Sequence, residues 1–277
     1  MSKGKEETKL IRDFIKKITG ITYKENKDYF LELKLAPLLK ETKCKNLLDF
    51  YNLIKKLPFD SPVLRNFIDA ITINETSFFR DTYPFEILKR YIFPEFKEKG
   101  AKKVRIMSVP SSTGQEPYSI TMIAFEVFSN LDKYDFKIIS GDISEYALFR
   151  AKEGHYRQVE VDRGLNSYYL NKYFTKVGEN DYAIRDDLKR SIEFHKINVL
   201  EKNAIIWKRD YYDIVFFRNI MIYFDITTQR ELLGRIKEAL KKDGYLFIGA
   251  SEVIIGITRL FDMKKINGGV VYVNSKK

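Results

Sequence analysis

The chain has 277 residues, of which 44% are hydrophobic and 14% aromatic, so it can bury a substantial core and is not intrinsically disordered. The lone Cys44 excludes an internal disulfide and a thiolate-rich metal site. Two histidines, His155 and His195, leave little for a His-based site, so we expect no bound metal. No apolar run is long enough to span a membrane, and the charged N-terminus lacks the apolar core of a signal peptide. We therefore expect a cytoplasmic protein without a membrane-inserted segment.

The net charge of +11 suggests an acidic partner: a nucleic acid, an anionic membrane face or an acidic protein. The alternative is that lysine is simply abundant, because the lysines are scattered and form no long basic tail. Composition alone does not separate these two interpretations.

Residues 1–73 show apolar residues at helical spacing and no strand pattern. The predicted helices lie over residues 10–18, 29–39, 47–54 and 63–70. This region holds 15 Lys and Arg against 10 Asp and Glu, a net charge of +5. We interpret it as an all-α domain whose charges form either ordinary solvated faces or a basic docking face for an acidic helical partner.

From residue 83 onward helices and strands alternate, which predicts an α/β fold with a doubly wound parallel sheet. The predicted helices cover residues 84–97, 114–129, 144–153 and 227–241, and the predicted strands cover 104–107, 136–140, 213–217 and 245–249. Residues 261–266 and 270–273 flank Asn267-Gly268-Gly269, so we expect a terminal antiparallel hairpin.

Residues 156–196 are the least regular part of the pattern. A short helix is predicted at 168–173 and a hairpin at 174–185. Residues 192–195 form a further predicted strand, so we expect a small antiparallel β-subdomain near 174–196, apart from the main sheet. His195 alternates with apolar residues there, which favours a structural role over a catalytic one.

Two strand ends are candidate ligand sites. The first strand leads through Ser111-Ser112-Thr113-Gly114 into a helix, and such a turn brings free N–H groups close to a ligand. An ordinary strand–helix turn is the alternative. Asp142 follows the next strand, where nucleotide-binding folds use an acidic side chain to accept hydrogen bonds from ribose hydroxyls. Alternatively, Asp142 only caps the helix at 144–153.

The junction between the two regions, residues 74–81, reads N-E-T-S-F-F-R-D. A helix cap at Asn74 or Thr76 followed by core aromatics would explain its two phenylalanines. That interpretation gives no reason for Arg80, which stands beside them.

Several stretches together resemble the CheR-type chemotaxis receptor methyltransferases, which transfer a methyl group from S-adenosylmethionine to receptor glutamates. The matching stretches are N-E-T-S-F-F-R-D at 74–81, S-S-T-G-Q-E-P-Y-S at 111–119, G-D-I-S at 141–144, F-R-N-I-M-I-Y-F-D at 217–225 and L-F-I-G-A-S-E at 246–252. They follow the family's order and spacing over residues 70–265. The resemblance implies a helical receptor-docking domain at 1–73 and a class I S-adenosylmethionine-dependent methyltransferase domain at 74–277, with the small β-subdomain inserted.

The resemblance also implies residue roles. Glu116 would hold the methionine amino group, and Asp142 would bind the ribose. Arg80 and Tyr223 would be catalytic, with both side chains close to the reactive methyl group. The remaining contacts to the cofactor would come from Asn74, Thr76, Arg80, Asn198, Val199, Arg218 and Asn219.

These roles agree with the chemistry of the residues. A sulfonium cofactor carries an ammonium that needs a carboxylate partner and two hydroxyls that suit Asp142. An acceptor glutamate is already ionised at neutral pH, because its unperturbed pKa is about 4.3, so no general base is needed. Arg80 can orient that carboxylate, and the ring of Tyr223 tolerates a cationic centre.

The sequence departs from the family in two places. Ser108-Val109-Pro110 stands where many relatives are richer in glycine or alanine. Some family members dock a receptor's C-terminal pentapeptide on the small β-subdomain, and residues 156–196 show no convincing counterpart. We expect this enzyme to reach its substrate without that tether.

The expected function is therefore methylation of glutamates in the cytoplasmic helical region of methyl-accepting chemotaxis receptors, by a monomer that binds no nucleic acid and releases S-adenosylhomocysteine. A nucleic-acid methyltransferase is one alternative, suggested by charge and fold, but the aromatic-proline signature and the catalytic cysteine of such enzymes are missing. A non-catalytic module that senses the cofactor is another, and the presence of Arg80 and Tyr223 argues against it.

Overall fold

The computed structural model describes residues 3–128 and 131–275, so the predicted helix end at 129 lies outside the described residues. The helices of the N-terminal domain are α1 (Lys3–Thr19), α2 (Asp28–Glu41), α3 (Leu47–Ile54) and α4 (Pro62–Ile71). The side chains of Asn46 and Ser61 cap α3 and α4 by accepting hydrogen bonds from backbone N–H groups. Ile15, Leu35 and Phe67 are fully buried in the core of this domain. The predicted all-α domain is confirmed.

The first helix of the α/β region is α5 (Tyr83–Ile87), which continues through a π-helical turn at Leu88–Ile92 into α6 (Phe93–Glu98). Pro94 has no N–H to donate to the carbonyl of Arg90, and the wider turn lies directly before it. The sequence predicts this stretch as one helix, and the structure adds the π turn.

Most of the remaining helices and strands alternate along the chain, as predicted, but two helices follow each other within residues 158–173, and strands follow strands within 174–184, 192–216 and 240–273. They are β1 (Lys103–Ser108), α7 (Gln115–Phe128), β2 (Asp135–Asp142), α8 (Glu145–Glu153), β3 (His155–Arg157), α9 (Gln158–Val161), α10 (Ser167–Tyr173), β4 (Phe174–Lys176), β5 (Asp181–Ile184), α11 (Asp186–Lys189), β6 (Ile192–Lys196), β7 (Tyr212–Phe216), α12 (Ile226–Ala239), β8 (Leu240–Phe247), β9 (Asp262–Ile266) and β10 (Gly269–Val273). No helix within the described ranges is long and apolar enough to cross a membrane.

In the described part of the chain, the main sheet has the strand order β6-β2-β1-β7-β8-β10-β9. The neighbouring strands β6, β2, β1, β7 and β8 run parallel to one another. Strand β10 pairs antiparallel with both β8 and β9. This confirms the predicted doubly wound sheet with its terminal antiparallel hairpin. The chain moves outward from β1 through β2 to β6 and then returns to β7, so the direction of winding reverses beside β1. Open α/β sheets bind ligands at the carboxyl ends of the strands at such a point.

The expected extent of the small β-subdomain is wrong at both ends. Residues 192–195 pair in parallel with β2 as an edge strand of the main sheet, with Ile138 opposite Ile192. The small sheet instead has the order β3-β5-β4 and includes residues 155–157. The short helix α11 separates the hairpin from β6, and its few residues are too short to show a helical period in the sequence.

Both faces of the main sheet are covered. Val104 and Ile106 of β1 belong to one buried apolar cluster, whereas Met107 belongs to a second. Because successive strand residues point to opposite faces, the two clusters lie on opposite sides of the sheet. Buried on both sides, the sheet is a rigid support for the loops at its carboxyl edge.

Candidate active site

A pocket lies at the carboxyl ends of β1, β2, β6 and β7 and is partly closed by the N-terminal domain. Every residue that the sequence predicts for the site lines this pocket: Asn74, Thr76, Arg80, Glu116, Asp142, Asn198, Val199, Arg218, Asn219 and Tyr223. Among the lining residues that the sequence does not predict, four come from the helical region: Thr19, Ile21, Thr72 and Ile73. The pocket thus combines chain segments that are far apart in sequence.

Asp142, at the end of β2, is 5% exposed and joins two turns. Its carboxylate accepts hydrogen bonds from the backbone N–H groups of Ser112 (2.9 Å) and Ser144 (3.0 Å). Burial raises the pKa of Asp142, and these backbone donors oppose the rise. Ser144, not Asp142, caps α8, because its side chain accepts from the N–H of Ala147 at 3.1 Å. Asp142 is therefore a fixed acceptor at the pocket wall.

The turn from β1 into α7 is held against its neighbours. The N–H of Ser111 donates to the carbonyl of Gly141 at 2.7 Å, and the hydroxyl of Tyr156 donates to the carbonyl of Thr113 at 2.8 Å. Gly114 has φ +96°, and a Cβ there would lie 3.0 Å from the Cβ of Ala151 and from the hydroxyl of Tyr156. Glycine is required at this position both for its conformation and for the close approach of α8.

A buried ionic network lies on the pocket floor. Arg218, whose side chain is 1% exposed, donates from Nη1 to Glu116 Oε2 (2.7 Å) and from Nη2 to Asp81 Oδ2 (2.7 Å). Nη2 also donates to the carbonyl of Arg80 at 2.9 Å, and Ser108 donates from its hydroxyl to Glu116 Oε1 at 2.9 Å. Burial raises the pKa of Glu116, against the effects of Arg218, Ser108 and Arg80.

The junction segment is an anchored loop. Phe78 is fully buried, with its ring edge-on to those of Tyr156 and Phe174 at 5.0 and 5.4 Å. Arg80 lines the pocket and donates from Nη1 to the carbonyl of Glu75 at 3.0 Å. The helix-cap interpretation is wrong, because the next helix begins only at Tyr83.

The loop after β7 carries Arg218, Asn219 and Tyr223, and Glu252 braces it. The Glu252 carboxylate, 7% exposed, accepts hydrogen bonds from the N–H groups of Asn219 (2.8 Å), Met221 (2.8 Å) and Gly249 (2.7 Å). Tyr223 follows at the end of a short 3₁₀ turn and is half-buried. Burial raises the pKa of Tyr223, and the positive charge of Arg80 opposes the rise. Glu252 was not predicted as a site residue, although it ends one of the motif stretches.

The helical domain is bonded to the pocket rim. Asn198 donates from Nδ2 to the carbonyl of Ile18 at 2.8 Å and accepts the N–H of Leu200 at 3.1 Å. Thr22 donates its N–H to the carbonyl of Tyr223 at 2.8 Å. Val199 is 5% exposed and belongs to the apolar part of the wall, together with Val109, Ile197, Ile220 and Phe224. The side chain of Asn198 thus bonds the helical domain, and the residue also lines the pocket.

His195 lies on β6, outside the pocket lining, with Nε2 3.8 Å from a carboxylate oxygen of Glu193. Across residues 3–128 and 131–275, no cluster of three or more His, Cys, Asp or Glu is arranged to hold a metal ion.

Comparisons with known proteins match both domains. Residues 74–270 match the family model of the CheR methyltransferase SAM-binding domain, and residues 6–72 match that of the CheR methyltransferase all-alpha domain. The chain is 36% identical to chemotaxis protein methyltransferase Cher2 of Pseudomonas putida over 277 residues, covering 98% of this chain and 99% of that protein. It is 36% identical to chemotaxis protein methyltransferase 1 of Pseudomonas aeruginosa over 278 residues, with the same coverage. It is 34% identical to the chemotaxis protein methyltransferase of Borreliella burgdorferi over 244 residues, covering 86% of this chain and 84% of that protein.

The pocket residues fit S-adenosylmethionine chemically. The cofactor carries an ammonium, a carboxylate, a ribose diol and an aromatic base. The pocket offers two buried carboxylates, Glu116 and Asp142, and an apolar wall. Arg218 Nε is buried and has no hydrogen-bond partner among the described residues, so it can donate to a carboxylate. With both domains matched and relatives aligned over nearly its whole length, the chain belongs to the CheR family of chemotaxis protein methyltransferases, whose α/β domain binds S-adenosylmethionine.

Proposed function

We propose that the protein transfers a methyl group from S-adenosylmethionine to glutamate carboxylates of chemotaxis receptors, giving glutamyl methyl esters in sensory adaptation. The observation that carries the proposal is that one pocket combines two buried carboxylates, Glu116 and Asp142, with Arg80 and Tyr223. The carboxylates suit the cofactor, and the other two side chains suit an anionic acceptor beside a cationic centre.

We assign the cofactor contacts by matching charge and hydrogen-bonding capacity. Glu116 would bind the amino group and Asp142 the ribose hydroxyls, while Arg218 Nε would donate to the methionine carboxylate. Asn74, Thr76 and Asn219 would supply further polar contacts. Asn198 and Val199 would line the adenine pocket through their backbone and apolar atoms.

The cofactor supplies a methyl group made electrophilic by a sulfonium. An acceptor glutamate needs no base, because a carboxyl group with a pKa of about 4.3 is already ionised at neutral pH. The guanidinium of Arg80 can hold that carboxylate in line for displacement, which lowers the entropic cost of the reaction. The ring of Tyr223 can face the positive charge, and the enclosed pocket partly removes water from the nucleophile.

The partner that we propose is the cytoplasmic helical region of methyl-accepting receptors. We propose that the protein binds it as a monomer in the cytoplasm. The net charge of +5 on residues 1–73 supports a docking role for the helical domain. Its surface has a depression between α1 and α3, lined by three lysines and one acidic residue beside Tyr51: Lys17, Lys55, Lys56 and Asp13. Acidic receptor helices would complement this surface.

The test uses methyl-labelled S-adenosylmethionine, receptor-containing membranes from the same organism and treatment of the products with base. Release of volatile labelled methanol is expected, because carboxyl methyl esters are base-labile. Base-stable label would refute glutamate methylation and indicate nitrogen or nucleic-acid methylation. Cofactor binding without any incorporation would instead favour a sensor of the cofactor.

A further inference from the structure

Asp81 stands behind the pocket floor, outside the pocket lining, and nothing in the reaction chemistry above requires it. Its carboxylate bonds the Nη2 of Arg218 at 2.7 Å, while the Nη1 of the same guanidinium bonds Glu116 at 2.7 Å. The side chains of Asp81 and Glu116 are 27% and 11% exposed, so solvent screens these charges only partly. One buried arginine is therefore shared between two carboxylates.

The sharing leaves a charge imbalance. Within this hydrogen-bonded group, Asp81 and Glu116 carry two negative charges against the single positive charge of Arg218 when all three are ionised. Arg80, whose Nη1 is bonded to the carbonyl of Glu75, acts on Glu116 from farther away. The nearest neutral partner, Ser108, donates a hydrogen bond to Glu116 and adds no charge. A ligand ammonium group placed at Glu116 would give this carboxylate a second positively charged partner. Without Asp81, Arg218 alone would already neutralise Glu116.

We propose that Asp81 is a positioning residue for the cofactor: by binding the second guanidinium nitrogen of Arg218, it keeps Glu116 under-neutralised and therefore receptive to the amino group of S-adenosylmethionine. The inference rests on the assignment of Glu116 in the proposed function and is independent of which acceptor is methylated. Arg218 itself holds the path of the loop, because its Nη2 also donates to the carbonyl of Arg80 at 2.9 Å.

The backbone makes a clean variant available. Asp81 has φ +65°, a left-handed conformation that asparagine adopts about as readily as aspartate. Asp81→Asn therefore keeps the loop conformation and a carbonyl acceptor for Arg218 and removes only the charge. Loss of function in this variant can be attributed to the charge more safely than in an alanine variant.

The probe is S-adenosylhomocysteine, titrated by calorimetry into the full-length protein across a range of pH, in two buffers of different ionisation enthalpy. The product keeps the amino group and cannot react. Glu116 is faced by Arg218 from the end of β7, Ser108 from β1, Arg80 from the junction and, through Arg218, Asp81. Burial raises the pKa of Glu116 in the free protein, and a bound ammonium lowers it, so wild-type binding releases protons and weakens as the pH falls.

In Asp81→Asn, Glu116 pairs with Arg218 alone, and loss of the nearby negative charge lowers the pKa of Glu116. We expect the affinity for S-adenosylhomocysteine to fall roughly tenfold or more. Both the proton release on binding and the pH dependence of the affinity should become smaller. Asp81→Glu keeps the charge and should retain the proton release, even if the longer side chain lowers affinity. Asp187→Asn, which removes the carboxylate paired with Arg185 far from the pocket lining, should behave as wild type.

A double-mutant cycle with Glu116→Gln separates this role from a general structural one. Once Glu116 is neutral, removal of the Asp81 charge should cost little further affinity, so the two losses should not add. Additive losses, or Asp81→Asn protein that folds and releases protons as wild type does, would overturn the proposal. If Asp81→Asn fails to fold, the test is proton release on ligand binding by Asp81→Glu. A lack of proton release by that variant would contradict the proposal. A failed methanol-release test with intact calorimetry would refute only glutamate methylation.

Discussion

At the scale of single residues, the two buried carboxylates are expected to behave differently when neutralised. Asp142 accepts two backbone N–H groups, and an amide in its place would turn an NH₂ toward one of them. Asp142→Asn should therefore lose about 1–3 kcal/mol of folding free energy as well as cofactor affinity. Denaturant unfolding measures the first effect and calorimetry the second. Unchanged stability would mean that the two turns do not depend on this carboxylate.

Tyr223 tests whether catalysis needs a proton-transfer group. Since the acceptor carboxylate is already ionised, only the aromatic face of Tyr223 is required. Tyr223→Phe should retain activity within roughly tenfold of wild type, whereas Tyr223→Ala should lose considerably more. The measurement is the initial rate of methyl transfer at saturating cofactor. A Phe variant as inactive as the Ala variant would show that the hydroxyl acts in the reaction.

At the scale of elements, the loop after β7 depends on Glu252. Glu252→Gln preserves shape but turns an NH₂ toward backbone donors that the carboxylate now accepts. We expect a loss of about 1–3 kcal/mol in unfolding free energy, and a lower turnover because Arg218 and Tyr223 sit on this loop. Thermal unfolding measures the change in stability, and steady-state kinetics measures the change in turnover. Normal turnover with reduced stability would limit Glu252 to a structural role.

The contact between the two domains at the start of α12, Asp225 with Lys16, should be sensitive to acid. Asp225 caps α12 through the N–H of Thr228 (2.9 Å) and pairs with Lys16 of α1 (2.9 Å), and the two contacts lower its pKa to about 2. A carboxyl group whose pKa is lower in the folded state stabilises the folded protein at pH values above its unfolded pKa of about 3.9. That stabilisation is lost as the pH falls toward 2. Because Asp225 is 39% exposed, the effect should stay below about 1 kcal/mol.

Asp225→Asn keeps a good cap and removes the charge. Its unfolding free energy should therefore vary less than that of wild type between about pH 4 and pH 2, as followed by urea unfolding at several pH values. Equal pH dependence in the two proteins would mean that the Asp225 charge contributes nothing to stability, either as the cap of Thr228 or in the ion pair with Lys16.

The elements also show what the sequence could and could not predict. The main strands were predictable because they are continuous apolar runs bounded by turn residues, as at residues 213–217. The sequence pattern places strand β6 in the wrong sheet, because alternation identifies a strand but not its partner. Most of the predicted pocket residues follow motifs at strand ends, and Asn74, Thr76 and Arg80 come from the junction motif. Thr19 and Ile21 reach the pocket only through the packing of two domains, which leaves no local signal in the sequence.

At the scale of the whole molecule, the helical domain contributes to the cofactor pocket and also carries excess positive charge. Reversal of Lys17, Lys55 and Lys56 to glutamate should raise the KM for receptor while leaving S-adenosylhomocysteine affinity unchanged, because these lysines lie outside the pocket lining. A matched reversal of Lys242, Lys264 and Lys265, on the methyltransferase domain, serves as the control. An unchanged KM in the first variant would refute docking through this surface.

The central claim is that this pocket methylates glutamate carboxylates. The most direct measurement is peptide mapping by mass spectrometry of receptors after reaction with wild type and with a Glu116→Gln, Asp142→Asn double variant. We predict methyl esters on glutamate side chains with wild type and none with the double variant. Methyl groups on other residue types, or esters formed equally well without the two carboxylates, would contradict the account.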